Sequence, residues 1–175
     1  MKRIVIYGEC MVELRTESAQ TLTKSYAGDT YNSAVYLKRC LPSSSVSFLT
    51  AIGADFLSDE LMFNMGENEI NTDYVFRSVS RNLGLYMIRN DEHGERDFAY
   101  WRSQSAAKTI MSFLKPEALS TLSENDMFMF SGISIAIIPR DERPSFFRFI
   151  EALKESGVKI VFDPNYRARL WETPD

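Results

Sequence analysis

The amino-acid sequence predicts an α/β fold, a doubly wound and mostly parallel sheet carrying a small antiparallel flap. Three observations lead there. Four short runs are apolar and rich in β-branched or aromatic residues, and each closes on a small or turn-forming residue. Helical patterns lie between some of these runs, so the strands need crossover connections and pair in parallel. One stretch, Leu83 to Trp101, instead alternates with period two around a polar turn containing glycine.

In chain order, Arg3–Tyr7 is the first buried strand and closes on Gly8-Glu9. Cys10–Leu14 and Leu22–Tyr26 add two candidate strands. Asp29 is placed to cap a helix carrying Tyr31, Ala34, Val35, Leu37 and Leu41 on one face, stopped by Pro42. Val46–Thr50 is the second buried strand, closed by Gly53. Asp55 starts a second helix with Phe56, Leu61, Met62 and Met65 inward and Gly66 near its end. Leu85–Arg89 and Asp97–Trp101 flank the turn Asp91-Glu92-His93-Gly94-Glu95-Arg96 as an antiparallel hairpin. Such a flap suits covering a ligand or forming a dimer contact. Met127–Phe130 closes on Ser131-Gly132, and a third helix starts near Arg143 with Pro144 in its first turn. It runs through Phe146, Phe147, Ile150 and Leu153 to Gly157, before the fourth buried strand, Lys159–Phe162.

Composition narrows the class of partner. The 175 residues are 45% hydrophobic and 25% charged, ordinary for a globular chain. The net charge of −4, with no Lys/Arg-rich run, argues against nucleic acid or an anionic membrane as the main partner. Cys10 and Cys40 lack metal-site or disulfide-framework spacing and read as free thiols in a reducing compartment. The apolar run Ile4–Tyr7 is too short for a signal peptide, and Met127–Ile138 falls short of the ~20 residues of a membrane helix. The expected location is cytoplasmic.

In an open parallel sheet, ligands sit beyond the carboxyl ends of the strands. Gly28-Asp29-Thr30-Tyr31-Asn32 opens a helix there, with Gly28 allowing close approach to backbone and Asp29 and Asn32 offering groups suited to hydroxyls. The alternative is that Asp29 only caps the helix and Asn32 is solvated. Tyr100 and Arg102 share a face by strand parity, so an aromatic wall and a guanidinium arrive together. Arg167, after Asp163-Pro164-Asn165-Tyr166, can meet a carboxylate or phosphate with a forked pair of hydrogen bonds. Two arginines with no compensating carboxylate motif favour an anionic substrate, against the alternative of a surface strand end and a loop arginine. His93, the single histidine, reads as a solvated turn residue, which leaves no Ser/His/Asp triad and no His/Cys metal cluster. Neither a phosphate-loop nor a dinucleotide glycine signature is present.

The segments Gly8-Glu9-Cys10-Met11-Val12-Glu13-Leu14, Gly28-Asp29-Thr30-Tyr31-Asn32-Ser33-Ala34, Gly53-Ala54-Asp55, Ile70-Asn71-Thr72-Asp73, Gly84-Leu85-Tyr86, Tyr100-Trp101-Arg102, Ser131-Gly132-Ile133-Ser134 and Asp163-Pro164-Asn165-Tyr166-Arg167 occur in the order found in ribokinase-like (PfkB) carbohydrate kinases. The sequence resembles that family along its whole length, most narrowly the 2-keto-3-deoxygluconate kinases through the Tyr100-Trp101-Arg102 and Asp163–Arg167 segments. The resemblance implies a ribokinase-like core with a β lid from segments at about 10–27 and 83–102, and a lid that often mediates homodimers. It implies ATP with a divalent cation, Mg, phosphorylating the 6-hydroxyl of the sugar acid. Carried over by motif, Gly28, Asp29, Thr30, Tyr31 and Asn32 hold sugar hydroxyls, Tyr86 and Tyr100 line the sugar, and Arg102 and Arg167 take the carboxylate. Asn165 and Arg167 lie toward the phosphates. Members of the family are nearly twice as long, with the catalytic Asp in a later Gly-Ala-Gly-Asp motif. Residues 1–175 are therefore expected to be the sugar-binding N-terminal portion of one domain, inactive alone, with no catalytic residue and no metal ligand assigned. The competing expectations are an inactive module that binds a sugar acid or pairs through its lid, and another sugar kinase of the same fold.

Overall fold

The computed structural model describes residues 1–18, 20–90, 93 and 95–172. Its strands are β1 (Arg3–Tyr7), β2 (Met11–Ser18), β3 (Thr21–Ala27), β4 (Ser45–Ile52), β5 (Val75–Arg77), β6 (Leu85–Asn90), β7 (Arg96–Trp101), β8 (Met127–Ser131) and β9 (Lys159–Asp163). The helices are α1 (Asp29–Cys40), α2 (Phe56–Glu67), α3 (Pro116–Leu122), α4 (Gly132–Ala136) and α5 (Arg143–Glu155), with 3-10 turns over Ala106–Ser112 and Ala168–Leu170. Of the polar hairpin turn, Asp91, Glu92 and Gly94 lie outside the described residues.

One sheet has the order β5-β4-β1-β8-β9 with every neighbouring pair parallel. β1 is apolar throughout its buried length because both its faces are covered. Ile4 and Ile6 join Tyr31, Ala34, Phe48, Leu61 and Met65, the side of α1 and α2. Val5 and Tyr7 point the other way, into Phe128, Phe130, Phe146, Phe149 and Leu153, the side of α5. β9 departs from the expected burial. Among the described residues it forms an edge with β8 as its one neighbour, and Phe162 is 49% exposed.

Helix faces show smaller departures. Asp55 caps α2 as its position predicts, its carboxylate accepting from the Leu57 and Ser58 amides at 3.0 and 3.1 Å. Phe56, expected inward, is 69% exposed. It stands five residues before the buried Leu61, roughly 140° away around a helix. Phe147 is likewise exposed, because Phe146, Phe149 and Leu153 define the buried stripe of α5. Leu41 lies past the end of α1 and is exposed too.

A second sheet, the lid, has the order β3-β2-β6-β7. The hairpins β2–β3 and β6–β7 are antiparallel, as expected for the flap, and the central pair β2/β6 that joins them is parallel. Each hairpin is an excursion from the core, and its first strand runs outward. Set side by side, two outgoing strands point the same way.

Candidate active site

β1 sits where the order of the main sheet reverses: the chain after it reaches β4 on one side, and β8 lies on the other. The crevice at the carboxyl ends of β1 and β8 is thus the ligand position favoured in a doubly wound sheet. Gly8-Glu9 leaves β1 there, Ser131-Gly132 leaves β8, Pro164-Asn165 leaves β9, and Asp29 opens α1. Packing at this point is tight. A Cβ on Gly28 would fall 2.1 Å from the Glu9 carbonyl oxygen, so the glycine admits the protein's own backbone rather than a ligand.

Asp29 is the first residue of α1 and caps nothing: Gly28 holds the cap position, without a side-chain bond. The Asp29 carboxylate turns across the crevice. Its Oδ2 accepts from the Ser131 hydroxyl at 2.6 Å and from the Asn165 side-chain amide at 2.9 Å. Asn165 has φ 28°, a left-handed conformation that Asn tolerates better than most residues. Thr30 and Tyr31 are removed from the candidate ligand surface. Thr30 is buried, and Tyr31 is a core residue packing edge-on against Phe48, its hydroxyl donating to Asn64 at 2.7 Å. Helical geometry explains this: positions after Asp29 rotate toward the sheet, while Asn32 comes round to solvent.

The lid carries the candidate residues Tyr86 and Tyr100. Glu13, Tyr86 and Tyr100 lie in one row across β2, β6 and β7. The Tyr86 ring stacks on Tyr100 at 5.8 Å, and Phe98 continues the stack 6.1 Å from Tyr100. The Tyr86 hydroxyl donates to Glu13, and burial together with that carboxylate raises its pKa. Arg102, just past β7, corrects a charge expectation. It forms a buried ion pair with Glu9, so a compensating carboxylate is present after all. Burial pushes the Glu9 carboxyl up, against the pull of the Arg102 guanidinium. Arg167 is exposed, and among the described residues no hydrogen bond or ion pair engages its guanidinium.

The structure therefore brings Asp29 and Asn165 together, sets Tyr86 and Tyr100 in one aromatic wall, and gives Arg102 and Arg167 different environments. Sequence reasoning passed over Glu9, Glu13 and Ser131. Glu9 and Ser131 carried one usable signal, their place directly at a strand exit beside a glycine.

The profile described as pfkB family carbohydrate kinase matches residues 1–175. The chain belongs to the pfkB family of carbohydrate kinases. Among curated relatives it is 38% identical to the 2-dehydro-3-deoxygluconokinase of Haemophilus influenzae, over 99% of this chain and 56% of that protein. It is 37% identical to the enzyme of the same name from Dickeya dadantii, over 99% of this chain and 57% of the relative. The chain thus spans little more than half the length of these pfkB relatives. Solved structures support the fold. A 2-dehydro-3-deoxygluconokinase from Thermotoga maritima superposes with a TM-score of 0.86 at 24% identity, covering 98% of this chain and 53% of that one. An ATP-bound fructokinase from Xylella fastidiosa gives 0.82 at 22% identity, covering 99% and 55%. The ribokinase-like architecture with its lid is that of this family.

Proposed function

We propose that this pfkB-family chain forms the sugar-acid-binding side of an ATP-dependent kinase acting on the 6-hydroxyl of 2-keto-3-deoxygluconate. The observation that carries the reading is the lid row Glu13–Tyr86–Tyr100, ending at Arg102 where the lid meets the β1 exit. A ring-lined wall with hydroxyl, carboxylate and guanidinium groups matches a polyhydroxylated acid. The names of the relatives at 37–38% identity agree with it. In this reading Gly28, Asp29 and Asn32 shape the hydroxyl side, Tyr86 and Tyr100 line the sugar, and Arg102 and Arg167 take the carboxylate. Asn165 and Arg167 fit phosphate oxygens, since Arg167 holds a guanidinium without an internal partner beside an amide donor. ATP would supply the transferred phosphoryl group, with Mg as its counter-ion. Among the described residues no three or more His, Cys, Asp or Glu side chains gather to hold an ion. No residue here is assigned as the base, and the 175 residues alone are proposed not to turn over ATP. Association of two copies through the lid, and a cytoplasmic location, belong to the same reading. Among the described residues no helix is long and apolar enough to cross a membrane.

A second reading has one observation in its favour. Because Glu9 already neutralises Arg102, the site fits a neutral sugar better than two free arginines would, and fructokinases are 23–26% identical over this chain. Calorimetric titration with 2-keto-3-deoxygluconate and with fructose separates the two: the acid is expected to bind and fructose weakly or not at all. Fructose binding more tightly would overturn the acid reading. ATP turnover by this chain alone would overturn the claim that it is inactive by itself; a chain extended to the length of the relatives is expected to be active.

A further inference from the structure

Ser131 plays no part in the reading above, yet it is fully buried at the exit of β8. Its hydroxyl has one hydrogen, and the surrounding donors decide where that hydrogen goes. The Ser134 amide donates to Ser131 Oγ at 3.2 Å, so that oxygen already acts as an acceptor. The Ser134 hydroxyl spends its own hydrogen on the Tyr7 carbonyl at 2.9 Å. Two acceptors lie within reach of the Ser131 hydrogen, Asp29 Oδ2 at 2.6 Å and Ser134 Oγ at 3.2 Å. The nearer is the charged one, and Ser134 Oγ already accepts from the Ser131 amide at 3.1 Å. Asn165 adds a second donor to the same oxygen at 2.9 Å. Among the described residues no side chain or amide is bonded to Asp29 Oδ1.

We infer that Ser131 is the positioning residue that sets the Asp29 carboxylate, occupying Oδ2 with Asn165 so that Oδ1 alone is presented to a ligand hydroxyl. The inference rests on the sugar-binding role proposed for Asp29. It adds that the Asp29 carboxylate is set by three chain segments, α1 supplying the carboxylate and the exits of β8 and β9 the two donors. A carboxylate held by two donors on one oxygen cannot rotate to present both oxygens without breaking a charge-assisted hydrogen bond. Ser131 does not touch the ligand and acts through Asp29.

The test is calorimetric titration of 2-keto-3-deoxygluconate into this chain and its variants, with thermal melting alongside. Ser131→Ala is expected to weaken binding about tenfold or more, the loss of one hydrogen bond to a charged group. It also removes the cap of α4, so Ser134→Ala is the control. That variant disrupts the same capping box but leaves the Ser131–Asp29 bond, and is expected to melt lower while binding within about twofold of the parent. Asn165→Ala is expected to weaken binding in the same direction as Ser131→Ala. In an Asp29→Ala background, Ser131→Ala is expected to add no further loss. Equal binding by the parent and Ser131→Ala, or equal losses in Ser131→Ala and Ser134→Ala, would overturn the inference and leave the substrate reading standing. A parent chain that binds no sugar acid would overturn both.

Discussion

Arg102 and Arg167 show how differently two arginines of one proposed site behave. Arg102 is partly buried against the buried Glu9 and joins the lid to the core across 93 positions of sequence. Removing either partner leaves an uncompensated buried charge, so Glu9→Ala is expected to lower folding stability by about 3–5 kcal/mol in urea denaturation. Arg167 is exposed and unengaged, so Arg167→Ala is expected to change stability by no more than about 0.5 kcal/mol. Its expected effect is on affinity for the sugar acid, read by titration. Arg102→Ala confounds the two effects, and Arg167→Ala is therefore the cleaner probe of carboxylate recognition. Unchanged affinity in that variant would remove Arg167 from the site.

At the scale of elements, local signals succeed where a helix end depends on its own cap. Asp55 was legible as the start of α2 because its carboxylate reaches amides two and three residues on. Asp55→Ala is expected to cost about 1 kcal/mol, whereas the neighbouring Phe56→Ser should be nearly neutral. A large loss in Phe56→Ser would mean that its exposed ring packs against something. Asp29 looked equally like a cap and is not one, because Ser131 and Asn165 draw its carboxylate across the crevice. The lid strands were legible from alternation. The parallel β2/β6 pair was not, since it joins hairpins that are each locally antiparallel.

For the whole molecule, acid response follows from carboxylates at junctions between elements. Among the described residues, hydrogen bonds and nearby cations hold four carboxyls below their ordinary values. The Thr23 hydroxyl and Arg15 lower Glu17; Lys24 lowers Glu60; the Arg3 amide lowers Asp126; and Arg143 lowers Glu172. A depressed folded pKa contributes stability above the unfolded values of 4.5 and 3.8, and that contribution is lost as pH falls through the folded pKa. Glu9 works in the opposite sense. Its raised pKa contributes below 4.5 and loses that contribution as pH rises through the folded value. The urea midpoint is therefore expected to drop on acidification below the carboxylate range, and Glu9→Gln to flatten any decline on its alkaline side. A Glu9→Gln profile parallel to that of the parent would refute the Glu9 assignment.

The sequence by itself determined the core strands β1, β4, β8 and β9 with their crossover connections, the lid strands, the helices α1, α2 and α5, and the family; the short β5, α3 and α4 were not legible in it. Those properties depend on which residues recur at short spacing, and on both faces of β1 being covered by apolar partners. It also brought Asp29, Tyr86, Tyr100, Arg102 and Arg167 forward as candidates. Only the tertiary structure decided what those residues face: Tyr31 in the core, Arg102 on Glu9, Asp29 held by Ser131 from β8. The physical reason is range. A cap or an amphipathic face is set within a few residues of backbone geometry. The partner of a charged side chain is set by how separate layers pack, and no local spacing encodes that.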